Sequence, residues 1–144
     1  ILYFYYALFL RYGFDFFFFL QKFFICKHCG NLIGLIENKG VPMVCCGEEM
    51  TELIPNTVEA SVEKHLPVVS TLENKIEVEI GSIPHPMEEA HHIDFIYVET
   101  ECGGQRKCLK VGQNPKAVFS FEEDKPIAVY AYCNLHGLWK TEIK

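Results

Sequence analysis

Cysteine spacing constrains this chain more than any other feature of its sequence. Cys26 and Cys29 are two residues apart, and the adjacent pair Cys45 and Cys46 follows sixteen residues after Cys29. The surrounding segment of about 35 residues is too small to hold itself together by burial alone, so we expect a metal to staple it. The seven cysteines are an odd number and cannot all pair. Their clustering indicates metal ligation in a reducing compartment, the cytoplasm.

Four thiolates around one ion suit either zinc or iron. A zinc ribbon normally presents two CxxC pairs, whereas the second pair here is adjacent. Spacing alone therefore leaves open whether this site holds a structural zinc or an iron. His28 lies between the first two cysteines, and we expect it to be an exposed residue because the four thiolates already complete the shell.

Histidines form a second cluster of candidate ligands. Five of the six histidines lie in three short motifs: His65 alone, His85 with the doublet His91 and His92, and His136 three residues after Cys133. Imidazole suits iron, zinc, copper and nickel, and a thiolate adds softness and electron donation. The pattern predicts a mixed site. Neighbours in an extended chain point to opposite faces, so only one histidine of the doublet is expected to bind.

The remainder of the sequence predicts short strands without long helices. In the cysteine-rich segment, strands are expected at residues 32–36 and 41–44. A turn at Pro55 marks a boundary, so a small domain of residues 21–56 precedes a larger domain of residues 57–144. In the latter, strands are expected at residues 66–69, 75–80, 93–99, 117–121 and 127–132, of which 75–80 alternates polar and apolar residues. This pattern favours an antiparallel β-sandwich.

Residues 1–20 differ from the rest because more than half of them are Phe or Tyr. The run is long enough to span a bilayer. Arg11 and Asp15 argue against an anchor, since each would cost about 2.5–3.5 kcal/mol near the membrane centre. We expect an extension that is not native, translated from AT-rich upstream DNA, with the true start at Leu20; a membrane anchor is the alternative.

The net charge of −6 argues against a nucleic-acid binder, which needs a basic face. Four motifs in register then carry a specific resemblance over residues 21–144: KFFICKHCGN with VCCGEEM, EKHLPV, HPMEEAHHI and CNLHGLW. Together they resemble the desulfoferrodoxin family. The resemblance implies a desulforedoxin-like domain followed by an immunoglobulin-like sandwich, and a homodimer.

The resemblance also implies two irons per chain and their ligands. The first iron would be held by Cys26, Cys29, Cys45 and Cys46, and the second by His65, His85, His91, His136 and, as the axial thiolate, Cys133. His91 is preferred over His92 because it has the family's spacing from His85. Glu63 corresponds to the carboxylate that can take the sixth position in the oxidised state, and Lys64 to the cation beside the open position.

The implied reaction is one-electron reduction of superoxide to hydrogen peroxide, with rubredoxin or another small redox protein as donor. Three alternatives stay open at this point: a non-catalytic iron electron carrier, a zinc-binding structural module, and a superoxide dismutase. Cys102 and Cys108 match no family ligand and flank Gly103 and Gly104, a predicted hairpin tip. We expect two free surface thiols there, and a local disulfide or a redox role is the alternative.

Overall fold

The computed structural model describes residues 20–144. The hypotheses about an extension or an anchor at residues 1–19 lie outside the described residues. Within residues 20–144, no helix has the length and apolar character needed to cross a membrane.

Twelve strands and one short helix make up the described part of the chain. In order they are β1 (Lys22–Ile25), β2 (Leu32–Leu35), β3 (Val44–Cys45), β4 (Glu48–Glu49), β5 (Thr51–Glu52), α1 (Val62–His65), β6 (Pro67–Leu72), β7 (Lys75–Ile80), β8 (Ile93–Thr100), β9 (Gly104–Cys108), β10 (Lys116–Ser120), β11 (Pro126–Cys133) and β12 (Gly137–Glu142). The paired strands run antiparallel. The predicted all-β class is confirmed.

Two sheets form the sandwich, with strand orders β10-β7-β6 and β12-β11-β8-β9. β7 shows how the sequence places its residues, because Ile76, Val78 and Ile80 are buried while Lys75 and Glu79 are exposed. Side chains alternate between the two faces of a strand, so the three apolar residues enter the core together. There they join a cluster that draws on both sheets.

β11 buries side chains on both of its faces. Val129, Ala131 and Cys133 belong to the core between the sheets, whereas Ala128 and Tyr130 belong to a second apolar cluster. The alternation of the strand separates the two sets. Cys133 therefore ends the inward-facing series and lies at the edge of the sandwich core.

The small N-terminal unit covers the second cluster. Its sheet has the order β2-β1-β5, and β3 and β4 form a separate hairpin. The Phe23 ring from β1 lies 6.0 Å from Phe95 and 5.5 Å from each of Tyr97 and Tyr130, between ring centroids. This unit is consequently packed on the outer face of the four-stranded sheet.

A buried carboxylate joins the two parts of the chain. Glu99 accepts a hydrogen bond at 2.8 Å from the backbone amide of Gln21 and another at 2.8 Å from the Tyr130 hydroxyl. Burial, followed by contact with Glu99, raises the pKa of Tyr130. Both carboxylate oxygens have a partner, as a buried acidic group requires.

Several strand predictions were wrong or incomplete. The strand expected at residues 41–44 is reduced to β3, since Pro42 has no amide to donate. The hairpin tip predicted at Gly103 and Gly104 is confirmed, because β8 turns there into the antiparallel β9. β9 itself was not predicted, since all its residues are exposed and show no apolar alternation. Cys102 lies in the turn and Cys108 at the far end of β9. The strand β12 was not predicted.

Candidate metal centres

The four cysteines of the N-terminal unit converge on one point. Their sulfur atoms lie within 4.8 Å of one another, with Cys29 and Cys45 at 3.6 Å and Cys45 and Cys46 at 4.0 Å. Four sulfurs arranged tetrahedrally at metal–sulfur distances of about 2.3 Å are separated by about 3.8 Å. The donor set therefore fits a tetrahedral metal, and a four-cysteine site is present.

Backbone conformation explains how adjacent cysteines reach the same point. Cys46 has a φ angle of 53°, in the left-handed region that residues other than glycine rarely adopt, and Gly47 follows with a φ angle of 78°. These two residues form the turn of the hairpin between β3 and β4. It allows Cys45 and Cys46 to face the first cysteine pair.

Thiol chemistry in this cluster favours a bound cation. The backbone amide of Cys29 is the main cause that lowers the pKa of Cys26 to about 6. Interaction with the Cys29 side chain, followed by that of Cys26, raises the pKa of Cys46 to about 12. Four thiolates at such short distances repel each other, so they ionise together only when a cation lies among them.

The second site is a closed ring of four imidazoles. His65 contacts His85 and His136 at centroid distances of 4.7 and 4.8 Å, and His91 contacts the same two rings at 4.5 and 4.8 Å. Interplanar angles at these four contacts are 76–89°. Across the ring, the centroids of His65 and His91 are 6.0 Å apart. Residues from three distant motifs thus surround one centre.

The hydrogen bonds of these imidazoles leave their second nitrogen atoms available. His65 and His85 each place Nδ1 at 2.7 Å from a backbone carbonyl, that of Ser61 and that of Pro86. A carbonyl only accepts, so Nδ1 carries the proton and Nε2 keeps its lone pair. Nε2 of His85 and Nε2 of His91 are buried and have no hydrogen-bond partner within residues 20–144. Such orphaned lone pairs fit metal ligation.

Burial keeps three of these imidazoles neutral. It is the main cause that lowers the pKa of His65 and of His91, and it lowers the pKa of His85 to about 4. Neutral imidazole is the form that binds metal. These three rings are therefore in the ligating state near neutral pH without first losing a proton.

Cys133 adds a thiol to this ring from the sandwich core. Its sulfur is 3.6 Å from Nδ1 of His136, and the ligand atoms of His65, His91, Cys133 and His136 lie within 4.8 Å of one another. Burial raises the pKa of Cys133, while the backbone amides of Leu135 and His136 act in the opposite direction. A nearby cation would complete the ionisation of this thiol. The site is of the type with four histidines and one cysteine, and His85 joins it through its ring contacts.

Comparison with known proteins places the chain in a family. The desulfoferrodoxin family model matches residues 57–142. A desulfoferrodoxin of Nitratidesulfovibrio vulgaris is 42% identical over 117 residues, which cover 81% of this chain and 92% of that protein. The chain belongs to the desulfoferrodoxin family.

Several structural neighbours and shorter relatives of this desulfoferrodoxin family member are superoxide reductases. The crystal structure of the superoxide reductase from Treponema pallidum matches with a TM-score of 0.71 and 33% identity, covering 84% of this chain and 98% of that one. A superoxide reductase of Pyrococcus horikoshii is 40% identical over 102 residues, which cover 57% of this chain and 87% of that protein. These similarities support an oxidoreductase related to superoxide reductases, and both donor sets fit iron, the metal of this family.

Glu63 and Lys64 lie on α1, directly before His65, and both are exposed. The carboxylate of Glu63 accepts a hydrogen bond at 2.5 Å from the Ser61 hydroxyl, which is the main cause that lowers the pKa of Glu63. Among the described residues, this carboxylate is not part of the clustered donor atoms. Lys64 is close enough to act electrostatically on His65.

Several residues that were not singled out from the sequence support the ring. The Trp139 ring stacks on His65 at 4.8 Å, and its indole N–H donates to the carbonyl of His136 at 3.2 Å. The side chain of Asn134 donates to the Ala90 carbonyl at 3.1 Å and accepts from the backbone amide of His92 at 2.9 Å. Trp139 and Asn134 lie inside the CNLHGLW motif, and this position was the only sequence feature that could have indicated their supporting role.

The other histidine of the doublet and the remaining cysteines lie elsewhere. Nε2 of His92 is 3.0 Å from the Asp94 carboxylate and Nδ1 is 3.0 Å from the Glu88 carbonyl, so His92 points away from the ring. His28 is exposed beside Glu48. Within the described residues, Cys102 and Cys108 are free and exposed.

Proposed function

We propose that this protein is a superoxide reductase, which converts superoxide to hydrogen peroxide by adding one electron and two protons. The observation that carries the proposal is the ring of four imidazoles with a buried cysteine beside it. Four neutral donors and one thiolate leave a ferrous ion with a net charge near +1, which suits a small anionic substrate. The superoxide reductases among the similar structures support the same activity.

The proposed ligands of the catalytic iron are those of the ring and its neighbouring thiol: His65, His85, His91, His136 and Cys133. The cysteines of the N-terminal unit would hold the second iron, which gives two irons per chain. When bound, the catalytic iron supplies the transferred electron and an open coordination position. The protein's own residues would admit and attract the substrate and deliver the protons.

Access to the site is set by burial. Cys133 is fully buried, whereas His91 and His136 are partly exposed. Solvent and substrate would therefore reach the site past these partly exposed rings and not past the buried sulfur. The thiolate stays dry, where its electron donation is not weakened by water and where it is protected from oxidation.

Lys64 attracts the substrate and holds a proton near it. The protein has a net charge of −6, which repels superoxide at long range. Lys64 is an exposed cation next to a ligand residue in sequence, and local fields of this kind can outweigh the net charge. Its ammonium group also donates hydrogen bonds to water, which can deliver one of the two protons. Glu63 would occupy the open position in the oxidised resting state.

The proposed setting follows from the same chemistry. A reducing cytoplasm keeps the cluster of thiolates from oxidising. A small redox protein such as rubredoxin would return the electron after each turnover, and two copies of the chain would form a homodimer. The redox partner and the homodimer are proposed from the resemblance to the desulfoferrodoxin family.

Rapid mixing of the iron-loaded, reduced protein with superoxide tests the proposed function. The expected result is oxidation of one iron per superoxide, formation of hydrogen peroxide and no release of oxygen. Oxygen release without an external reductant would identify a dismutase instead. Iron that is not oxidised faster than free ferrous ion would identify an electron carrier, and zinc in both sites would identify a structural module.

A further inference from the structure

The hydroxyl group of Ser61 makes an unusual contact for its position. Ser61 is the N-cap residue of α1, and serine at an N-cap normally accepts a hydrogen bond from a backbone amide of the first turn. Within the described residues, the Ser61 side chain caps no amide of this helix. It donates instead to the carboxylate of Glu63 at 2.5 Å. This hydrogen bond therefore holds the Glu63 carboxylate and does not cap the helix.

The backbone of Ser61 is tied to the metal ring at the same time. Its carbonyl accepts from Nδ1 of His65 at 2.7 Å, and His65 is almost fully buried with 2% exposure. Ser61 is thus held at a fixed place relative to a proposed ligand, and its hydroxyl presents a fixed donor to the Glu63 side chain.

The backbone of Glu63 is held as well. Its carbonyl accepts from the Ile83 amide at 3.1 Å and from the Ser82 hydroxyl at 3.2 Å. Gly81, with a φ angle of 85°, packs so closely that an added Cβ would collide with the carbonyls of Ile83, Lys64 and Glu63. With its main chain restrained from two sides, Glu63 can exchange partners through its side-chain torsions alone.

We propose that Ser61 is a positioning residue whose hydroxyl holds the Glu63 carboxylate away from the open position of the histidine–cysteine site. The inference rests on the proposed function, in which Glu63 can take that position. Its carboxylate has two competing partners, the Ser61 hydroxyl and the metal. The hydrogen bond with Ser61 favours the open site, and its loss shifts the carboxylate toward the metal.

Azide binding to the iron-loaded, oxidised protein measures this competition, because the anion needs the position that Glu63 takes. Titration followed by absorption is expected to give an apparent Kd about fivefold higher in Ser61→Ala, the factor expected for losing one hydrogen bond of ordinary strength. Ser61→Thr keeps the hydroxyl and is expected to restore the affinity. In a Glu63→Ala background, removing the Ser61 hydroxyl is expected to change nothing.

Ser82→Ala is the matched control, because it removes a neighbouring hydroxyl that contacts the backbone of Glu63 and not its carboxylate. An azide affinity that is unchanged in Ser61→Ala, or that falls equally in Ser82→Ala or in the Glu63→Ala background, would overturn the positioning role. The superoxide reaction is measured separately on the same samples. If the wild-type protein reduces superoxide but the azide affinity does not change in Ser61→Ala, only this inference fails. If the azide affinities of the variants follow the expected pattern but the wild-type protein does not reduce superoxide, the proposed function fails instead.

Discussion

Nε2 of His65 lies 2.9 Å from Nδ1 of His136, although the two residues are 71 positions apart in the chain. The proton of His65 is on Nδ1, where it is donated to the Ser61 carbonyl, so Nε2 directs a lone pair at its neighbour. Two nitrogen ligands at right angles, each about 2.1 Å from a metal, are separated by about 3.0 Å. The distance between the two imidazoles therefore matches adjacent ligands of one ion.

Cys133→Ser tests whether Cys133 would hold the iron through a thiolate. We expect the substitution to remove the sulfur-to-iron charge-transfer absorption of the oxidised protein, because a hydroxyl oxygen is a harder and poorer electron donor. The absorption spectrum measures this directly. Cys108→Ser is the control, since Cys108 is exposed at the end of β9. A Cys133→Ser protein that keeps the band would refute the assignment of Cys133.

Cys46→Ser separates the two centres. The expected protein has lost the four-sulfur iron, so its iron content falls from two to one per chain, while superoxide reduction is largely retained. The reason is that the ring histidines and Cys133 belong to the sandwich and do not depend on the cysteine cluster for their geometry. Metal analysis measures the iron content, and rapid mixing of the same sample with superoxide measures the rate of reduction. Complete loss of superoxide reduction would mean that the N-terminal centre is obligatory.

Lys64→Ala tests electrostatic attraction of the substrate. The second-order rate with superoxide is expected to fall roughly threefold at low salt, the order expected for removing one screened charge near the encounter point. The dependence of the rate on ionic strength should also flatten. Lys125→Ala, at the opposite end of β11 from Cys133, is the matched control. Equal rates for Lys64→Ala and wild type across the salt series would exclude the attraction.

Acidification tests the buried imidazoles in the metal-free protein. The pKa of His85 is about 4 in the folded chain and about 6.5 in an unfolded one, so the unfolded state binds more protons between these values. The free energy of unfolding is therefore expected to decrease as the pH falls from about 6.5 to 4. Urea titration followed by fluorescence of Trp139, the single tryptophan, measures it.

The matched variants for this pH series are His85→Asn and His28→Asn. The first should reduce the pH dependence, because the buried titrating group is gone. The second makes the same substitution at an exposed position outside the ring and controls for the change of residue type. A free energy of unfolding that stays constant between pH 7 and pH 4 would contradict the neutral, buried state of His85.

Tyr130→Phe tests the junction between the N-terminal unit and the sandwich. Removing the hydroxyl leaves one oxygen of the buried Glu99 without its partner, which is expected to cost about 1–3 kcal/mol of stability. Tyr132→Phe on the same face of β11 keeps both Glu99 hydrogen bonds and should cost less. Denaturant unfolding of both variants gives the comparison, and equal stabilities would show that the buried carboxylate does not depend on Tyr130.

The sequence predicted those parts of the fold whose residues carry a strong pattern. β7 was predicted with its observed bounds because Ile76, Val78 and Ile80 alternate with charged residues. β9 could not be predicted, since an edge strand with every side chain exposed has no apolar period. The four-residue helix α1 is too short to show a helical period.

The candidate donors were predictable from the sequence because histidines and cysteines are concentrated in a few short motifs, and metal binding is the main function that such a concentration indicates. Their supporting residues were not. The roles of Ser61 and Trp139 depend on which atom of His65 or His136 they approach, and spacing along the chain contains no such information. The same holds for Glu99, whose burial depends on the packing of the N-terminal unit.

X-ray absorption at the iron edge of the Cys46→Ser protein, which retains only the proposed catalytic iron, tests the central claim most directly. The proposal predicts about four nitrogen neighbours near 2.1 Å and one sulfur near 2.3 Å. A shell without sulfur, or one with several sulfurs and fewer imidazoles, would contradict a single site built from the histidine ring and Cys133.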